Sequence, residues 1–519
     1  MKTYYLNILG CMLALASLIG CIDDRGNYDY LSKEDVMPIQ ISGLEDSYQT
    51  LIGDKLKLTA TVAGDEGMDN VEYGWYLFQT VVAEKRDTLG YGRQLDWTVD
   101  CESGFYYLLF EARDLDTGLF TYKKMNLEVN TTLSNVWVLL ESDGTGVDMD
   151  VVKLDGETME DMITSGGGTR LQGNPVNIQF QNRHCQEVEH ADGTVEVERK
   201  KAFIVTTDRD MRVYNGINME LMKPREDCFY EMPSTLQPRN YASEGTQDQL
   251  NNNGKYYILG QGNIGKFGYP LMGPDGTEDY DLHADWVAIS QAAYLWEKNT
   301  HSFLYAYFSN SSLSYFDEAK DGETNYGPVK NLEADLQRML YRSSELNTVT
   351  YKSTANTYAL MKQPDGSHCI YDLRFQKSTA YPLNGIYTLP EGCLLGQSTC
   401  MAAHHSAPKI FFATNGNELW EHNVNSNSDP AARERKVYAF PAGETIAYIR
   451  HVYSSQSLDD AEDTLVIITN SPDGWKLYGI RFIGGGSEFD GSVAPDDYLL
   501  GKGKGKGACV LRMYTDTSY

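Results

Sequence analysis

The sequence predicts an all-β protein in which an immunoglobulin-like sandwich is followed by a β-propeller of seven blades. Two observations lead to this prediction. Short β-type runs alternate with polar turns from about Ile39 to Val129, and units of two strands joined by a polar turn recur at nearly constant spacing after Val136. The 519 residues are also too many for one ordinary core, so we expect two or more domains.

The first twenty residues are typical of a secretory signal. One positive charge precedes an apolar run from Ile8 to Ile19, and this run is shorter than the roughly 20 residues that a membrane-spanning helix needs. The run ends in the string Leu18-Ile19-Gly20-Cys21, which resembles the bacterial lipobox. We therefore expect residues 1–20 to be cleaved and Cys21 to carry lipid. An ordinary signal peptide with a chance cysteine is the alternative.

Two acidic residues, Asp23 and Asp24, follow the predicted lipidation site closely. They resemble the export signal that sends lipoproteins to the outer face of the outer membrane, although an acidic, solvated linker would look the same. Buried lipid methylenes contribute about 0.8 kcal/mol each, so several chains hold a protein on a membrane without a spanning segment. We expect residues 21–38 to be an acidic tether. We also expect the lipid to anchor the protein in the outer membrane, with the folded part exposed at the cell surface.

The charge of the chain restricts its partners. There are 73 Asp and Glu against 44 Lys and Arg, a formal net charge of −29. Such a surface repels nucleic acid and anionic lipid, so we expect neither as a partner. The cysteines beyond Cys21 are odd in number and form no evident disulfide framework, so we expect buried free thiols for most of them. These cysteines are Cys101, Cys185, Cys228, Cys369, Cys393, Cys400 and Cys509.

Residues 39–131 are predicted to form a small antiparallel sandwich, because strands at this spacing with polar turns between them are typical of that fold. Trp75, in the second of the predicted strands, is a candidate for the core tryptophan. The predicted strands are Lys55–Val62, Val71–Phe78, Leu95–Val99, Phe105–Ala112 and Tyr122–Val129.

Residues 132–519 are predicted to form the propeller. Seven hairpin-like units begin at separations of 66, 54, 47, 54, 53 and 55 residues, and a period near 50 is typical of four-stranded blades. The last apolar run, Ala508–Tyr514, is predicted to return to the first blade as a closing strand. Two stacked sandwiches are the alternative. The units begin at Val136, Ala202, Tyr256, Phe303, Thr357, Ile410 and Leu465.

One segment departs from this pattern. Between Asn331 and Tyr341, four apolar residues have the spacing of one helical face, which predicts a helix inserted between blades. These residues are Leu332, Leu336, Met339 and Leu340.

Two glycine-rich strings have the appearance of phosphate-binding loops. Gly260–Gly265 matches G-x-G-x-x-G, but the glycine and proline that follow forbid the helix that a dinucleotide site requires. The run Gly501–Gly507 alternates glycine with lysine and fits no phosphate-loop register, so we expect a flexible, solvated connection there.

The sequence predicts no metal site. Cys393, Cys400, His404 and His405 form a Cys/His cluster whose spacing matches no zinc motif, and adjacent histidines in a strand point to opposite faces. The acidic run Asp275–Asp281 lacks the order of an EF-hand loop, so we expect an acidic loop there, and a calcium site is the alternative.

Catalytic motifs are missing as well. Neither H-E-x-x-H nor G-x-S-x-G occurs, and the histidines His283, His301 and His451 lie in unrelated settings. The sequence therefore predicts no catalytic residue and no cofactor.

Several strings resemble the PKD-like family of lipoproteins. Residues 103–118 resemble the end of a PKD domain, although the W-D-F-G-D-G signature is absent and Tyr73–Phe78 stands in its place. Four other strings add to the resemblance, and the first is the most telling. They are Cys21–Tyr30, Ser314–Glu318, Ile410–Leu419 and the run Gly501–Gly507.

This resemblance implies a role, because such lipoproteins are typically encoded beside SusC/SusD-type outer-membrane importers. We expect a surface-exposed, accessory component of nutrient uptake that binds a glycan or a peptide and has no enzymatic activity. The alternative is an extracellular lyase or hydrolase that uses carboxylates in the propeller channel. The family carries no catalytic residues that could be transferred to this chain.

Overall fold

The chain divides into two compact units, one that ends at Asn130 and one that begins at Thr131. The predicted signal peptide and most of the tether, including Cys21, Asp23 and Asp24, lie outside the described residues. Within the described part of the chain, no helix is long and apolar enough to cross a membrane. The computed structural model describes residues 38–79, 86–244, 247–259, 265–289, 292–307, 309–320, 324–347, 352–376, 380–424, 433–454, 462–482 and 493–514.

The first unit is a β-sandwich. Its nine strands are β1 (Gln40–Ser42), β2 (Ser47–Leu51), β3 (Lys55–Thr59), β4 (Thr61–Ala63), β5 (Val71–Gln79), β6 (Asp87–Tyr91), β7 (Gln94–Thr98), β8 (Gly104–Asp114) and β9 (Phe120–Asn130). Five of them form a sheet in the order β2-β9-β8-β5-β6, and the pairs β1-β4 and β3-β7 form two smaller sheets. Most pairings are antiparallel, but β2 runs parallel to β9.

Trp75 lies at the centre of this unit, as the sequence predicted. Its side chain is fully buried, its ring lies 4.7 Å from the ring of Phe110, and its Nε1 donates to the carbonyl oxygen of Gly92 at 3.0 Å. Burying a ring of this size while satisfying its N–H is what stabilises such a core.

The second unit begins with three sheets. Their strands are β10 (Val136–Ser142), β11 (Val147–Lys153), β12 (Thr158–Met159), β13 (Pro175–Glu189), β14 (Val195–Thr207), β15 (Met211–Asn215), β16 (Leu221–Lys223), β17 (Pro238–Glu244), β18 (Gln247–Asn252) and β19 (Lys255–Leu259). The second sheet has the order β13-β14-β15-β16, and the third, as far as its residues are described, has the order β17-β18-β19. A one-turn helix, α1 (Met162–Ser165), packs beside β11.

Four further four-stranded sheets follow in chain order. Their strands are β20 (Val287–Ile289), β21 (Ala292–Glu297), β22 (Ser302–Tyr307), β23 (Ser314–Tyr315), β24 (Asp335–Asn347), β25 (Lys352–Lys362), β26 (His368–Gln376), β27 (Leu383–Thr388), β28 (Met401–Ala403), β29 (Ile410–Asn415), β30 (Glu418–Asn423), β31 (Glu434–Ala439), β32 (Thr445–Ser454), β33 (Glu462–Ser471), β34 (Gly474–Arg481) and β35 (Leu499–Gly503). Within each sheet, consecutive strands are neighbours.

The last strand, β36 (Lys506–Arg512), closes the unit. It pairs with β10 and completes the first sheet in the order β12-β11-β10-β36, as the sequence predicted for the run that ends at Tyr514. Successive antiparallel four-stranded sheets closed by a terminal strand form a β-propeller. The described residues of this unit contain seven sheets, and the number of blades stays a prediction.

The glycine and lysine run is not the flexible connection that the sequence predicted. It forms the end of β35, a short turn with Gly505 at φ +72°, and the start of β36, so it leads from the seventh sheet into the first. A Cβ on Gly503 would lie 2.6 Å from the Trp475 ring, and one on Gly507 would lie 2.8 Å from Cγ2 of Ile468. The glycines are therefore needed because neighbouring side chains approach the backbone closely.

The predicted helix at residues 331–341 is wrong, because the strand β24 occupies most of it. Bulges after Leu336 and Tyr341 shift the pairing with β25. Side chains of a strand normally alternate between its two faces, and a bulge inserts one extra residue into this alternation. Leu336 and Met339 therefore pack into the same core although they are three residues apart. Leu340 packs into a different core on the other face of the strand. Bulges and burial on both faces thus imitate a helical pattern.

Five of the seven predicted hairpins match the second and third strands of their sheets. The units predicted to start at Tyr256 and Phe303 are shifted, because these residues lie in the third strands β19 and β22. The true second strand of the third sheet, β18, has the sequence Gln-Asp-Gln-Leu-Asn-Asn, and all six residues are buried. So polar a strand gives no hydrophobic signal.

Candidate functional site

Two loop segments flank the third sheet in the chain. Residues 224–237 precede β17, and residues 265–286 follow β19 at a distance of five residues. The two segments meet where Phe229 and Phe267 form a parallel bridge, with their rings 5.7 Å apart. Both rings are buried, together with Tyr241 and Tyr257, in one core cluster. The loops are therefore packed against the sheet.

Exposed side chains next to this bridge form what we call the tyrosine surface, defined as Tyr230, Glu231, Met232 and Tyr269. Tyr269 is 77% exposed and Tyr230 is 61% exposed. The Tyr269 hydroxyl donates to Oε2 of Glu231 at 2.7 Å. Tyrosine and methionine are enriched at recognition surfaces, because they offer apolar area with few rotamers or with adaptable shape. This surface can stack against a ligand and accept hydrogen bonds from it.

The buried amides of β18 hold the loops in place. Asn251 Nδ2 donates to the His283 carbonyl at 2.8 Å, while its Oδ1 accepts the N–H of Gly254 at 3.0 Å. Asn252 Nδ2 donates to the Thr235 carbonyl at 2.9 Å. These two amides thus pair with the loop backbone, which explains why β18 has polar residues at positions 251 and 252.

A second buried polar group lies between the second and third sheets. Lys223 Nζ donates to the carbonyl oxygens of Cys185 and Gly265, both at 2.8 Å. Burial lowers the pKa of Lys223 to about 8. Nearby, Nδ1 of His184 lies 3.8 Å from Oδ2 of Asp248, and burial lowers the pKa of this histidine. Among the described residues, the Asp248 carboxylate makes no hydrogen bond.

Cys393, His422 and Glu434 meet in the sixth sheet. Nδ1 of His422 lies 3.4 Å from Cys393 Sγ and 3.5 Å from Glu434 Oε1, and the thiol donates to the same carboxylate oxygen at 3.5 Å. Burial, followed by the Glu434 charge, raises the pKa of the Cys393 thiol to about 11. Burial would raise the pKa of Glu434, but the contact with His422 and backbone N–H groups lower it.

An acidic group lies near the turn between β35 and β36. Burial raises the pKa of Glu141 to about 7 and that of Asp150 to about 6. Asp161 completes the group within the reach of one ion. The Arg170 guanidinium, however, already contacts Glu141 and Asp161, and Asp150 accepts from the Trp475 indole N–H at 2.9 Å. Because these partners already supply a cation and a donor, we assign the group a structural role.

The structure does not assemble the Cys/His cluster considered from the sequence. His404 packs against the His451 ring at 4.8 Å, and its Nδ1 accepts two backbone N–H groups of the following turn. His451 contacts Asp463 through Nε2 at 2.5 Å. Cys393 instead meets His422 and Glu434, which sequence reasoning missed because strand pairing, and no local motif, brings them together.

Two further strings were considered from the sequence, the glycine fingerprint and the acidic run. Most of the glycine fingerprint, residues 260–264, lies outside the described residues. In the acidic run Asp275–Asp281, the Asp281 carboxylate contacts Arg239 and Lys298, each at 2.5 Å, so it is already paired with cations. The seven cysteines in the described part of the chain are free thiols, as predicted for most of them.

Strand order and core together define an all-β protein with an immunoglobulin-like sandwich and a β-propeller. The model of the PKD-like family matches residues 21–175, so the N-terminal part of the chain is PKD-like. The match covers the sandwich and reaches the first sheet of the propeller. No curated protein matches the chain.

Solved structures give only distant similarities. A quinoprotein alcohol dehydrogenase-like protein from Bacteroides thetaiotaomicron is 9% identical, with 90% of this chain and 96% of that chain covered and a TM-score of 0.37. The WD40 domain of SCAP from fission yeast is 9% identical, with coverages of 70% and 90% and a TM-score of 0.33. The extracellular domain of a putative one-component system from B. thetaiotaomicron is 12% identical, with coverages of 67% and 52% and a TM-score of 0.20. Similarities at this level carry no conclusion about activity.

Proposed function

We propose that this protein is a surface-exposed outer-membrane lipoprotein that serves as an accessory, non-enzymatic ligand-binding component of a SusC/SusD-type uptake system for glycans or peptides. One observation carries the proposal. The match to the PKD-like family begins at residue 21, which is also the cysteine where the lipobox-like string predicts cleavage and lipidation. The start of the family match coincides with the cleavage site that the lipobox-like string predicts, and this coincidence supports the proposed anchor.

The tyrosine surface supports ligand binding as the activity. Its two exposed rings lie on loops that buried amides fix to the third sheet, so little ordering free energy is lost when a ligand docks. Rings of this kind stack on the apolar face of a sugar or on a peptide side chain, and the Glu231 carboxylate accepts hydrogen bonds from hydroxyl or N–H groups. The strongly acidic chain makes neutral or cationic ligands the better candidates.

The anchor is tested by metabolic labelling. When cells grow with a labelled fatty acid, we expect Cys21→Ser to remove the label and to move the protein out of the membrane fraction, because the acyl chains supply the membrane affinity. Cys11→Ser is the matched control, since it changes the other cysteine of the leader, and it should be labelled like the parent. Label on the Cys21→Ser variant would contradict the proposed anchor.

Ligand binding is tested with the full chain purified in detergent. We expect it to co-purify with a SusC/SusD-type pair and to bind an oligosaccharide or peptide, with an affinity about tenfold lower in Tyr230→Ala or Tyr269→Ala. Tyr91→Ala, in the sandwich, is the matched control because Tyr91 is equally exposed, at 65%. Absence of any importer or ligand would contradict the proposal, and so would the release of product from a glycan or peptide library.

A further inference from the structure

Three different metal-ligating side chains converge in the sixth sheet, away from the tyrosine surface. They are Cys393, at the start of the 3₁₀ turn Leu394–Gly396, His422 in β30 and Glu434 in β31. We propose that Cys393, His422 and Glu434 form a site for a divalent transition-metal ion, zinc in the first place. This departs from the sequence prediction, which placed no metal in the chain.

The distances between the ligand atoms carry the proposal. Zinc binds sulfur at about 2.3 Å and nitrogen or oxygen at about 2.0–2.2 Å with tetrahedral angles, which places the ligand atoms roughly 3.3–3.6 Å from one another. The three atoms here, Cys393 Sγ, His422 Nδ1 and Glu434 Oε1, are separated by 3.4, 3.5 and 3.5 Å. These separations match those between the ligands of a tetrahedral zinc ion, and a water molecule would take the fourth position.

The types of ligand atom, and the hydrogen bonds that orient one of them, also fit zinc. One thiolate, one imidazole and one carboxylate form a mixed donor set that a borderline-soft ion accepts and that magnesium or calcium does not prefer. The carboxylate is oriented by backbone donors, because the N–H of Leu394 donates to Oε2 and that of Leu395 to Oε1, both at 3.2 Å. Such supporting hydrogen bonds fix the direction of a metal ligand.

The backbone positions these ligands. His422 and Glu434 are direct partners in the β30–β31 pairing, so their side chains lie on the same face of the sheet. Cys393 approaches that face from the turn between the fifth and sixth sheets. His422 is 2% exposed and Cys393 8%, whereas the Glu434 side chain is 21% exposed. The site is thus mostly dry but reachable by an ion from the Glu434 side.

Metal binding is measured on the full chain, purified in detergent and stripped with a chelator. We expect about one zinc ion per chain after reconstitution, and a thiolate-to-cobalt charge-transfer band when cobalt replaces zinc. Cys393→Ser should abolish the band. Glu434→Gln should weaken cobalt binding at least about tenfold, because the neutral amide is a poorer metal ligand, although its one oxygen still accepts from one of the two backbone N–H groups.

Two controls make the result decisive. Cys400→Ser removes a neighbouring cysteine that lies outside the triangle, and we expect it to retain the parent band. Circular dichroism of each variant checks the fold, and Glu434→Gln decides the question if Cys393→Ser does not fold. A parent chain that binds neither zinc nor cobalt would overturn the proposal and leave a hydrogen-bonded thiol. Full-strength bands in both variants would overturn it as well.

Discussion

Two strands in the same position of their sheets, β18 in the third and β29 in the sixth, are stabilised in opposite ways. β29 has the sequence Ile-Phe-Phe-Ala-Thr-Asn, and its first four residues are buried among apolar side chains. β18 has one apolar residue, Leu250, and is buried along its whole length. The comparison shows that the fold requires a strand that can be buried at this position, and that either apolar area or hydrogen bonds from side-chain amides can support such a strand.

The two solutions differ in what they give the protein. Apolar burial contributes roughly 25 cal/mol per Å² and needs no particular partner. A buried amide contributes only about 1 kcal/mol net per hydrogen bond, and it is costly when a partner is missing. In return, the amides of β18 hold specific loops, and those loops carry the tyrosine surface. The polar strand therefore exchanges stability for the positioning of a candidate site.

The largest effect is expected in the apolar strand. Phe412 in β29 is fully buried, and Phe412→Ala should reduce the free energy of unfolding by about 3–5 kcal/mol, because the lost transfer energy and the remaining cavity add. Urea unfolding followed by tryptophan fluorescence measures this loss.

Val195→Ala in β14 is the control for this prediction, because Val195 is 58% exposed. It should change the free energy of unfolding by no more than about 0.5 kcal/mol. Equal losses in the two variants would show that burial does not determine the contribution of a strand residue, and the comparison between β29 and β18 would fail.

A smaller effect is expected in the polar strand. Asn251→Ala leaves the N–H of Gly254 and the carbonyl of His283 without their partner, which should cost about 2 kcal/mol and speed hydrogen exchange at Gly254. Asn299→Ala, at an exposed turn, is the matched control and should do neither. If the Gly254 amide exchanges equally slowly in Asn251→Ala, the Asn251 side chain does not hold the neighbouring backbone.

The same contrast explains which parts of the fold the sequence could predict. The sandwich with Trp75, the closing strand and five hairpins have alternating or continuous apolar patterns, which depend only on local sequence. β18 has no such pattern, since its partners lie in loops up to 32 residues away. Bulges gave β24 a helical spacing. In each case tertiary pairing determined the structure and left no local signal.

The candidate sites were less predictable than the fold. A count of 36 tyrosines could not separate Tyr230 and Tyr269 from those that are fully buried, such as Tyr256 and Tyr294. Exposure is a property of the folded chain. The group around Cys393 depends on the register between two strands, which a search for short motifs does not detect.

The smallest effect is expected from the buried charge of Lys223, which makes the free energy of unfolding depend on pH. Lys223 has a folded-state pKa of about 8, below the roughly 10.4 of an unfolded chain. Between these values the unfolded state binds more protons, so stability rises with pH, by at most about 1.4 kcal/mol per pH unit. Urea midpoints at about pH 7 and about pH 9.5 should therefore rise more in the parent than in Lys223→Met, whereas Lys362→Met, at an exposed strand end, should follow the parent. A neutral amide such as Asn251 does not titrate and adds no pH dependence to the free energy of unfolding. Equal pH dependence in the parent and in Lys223→Met would therefore contradict the lowered pKa of Lys223.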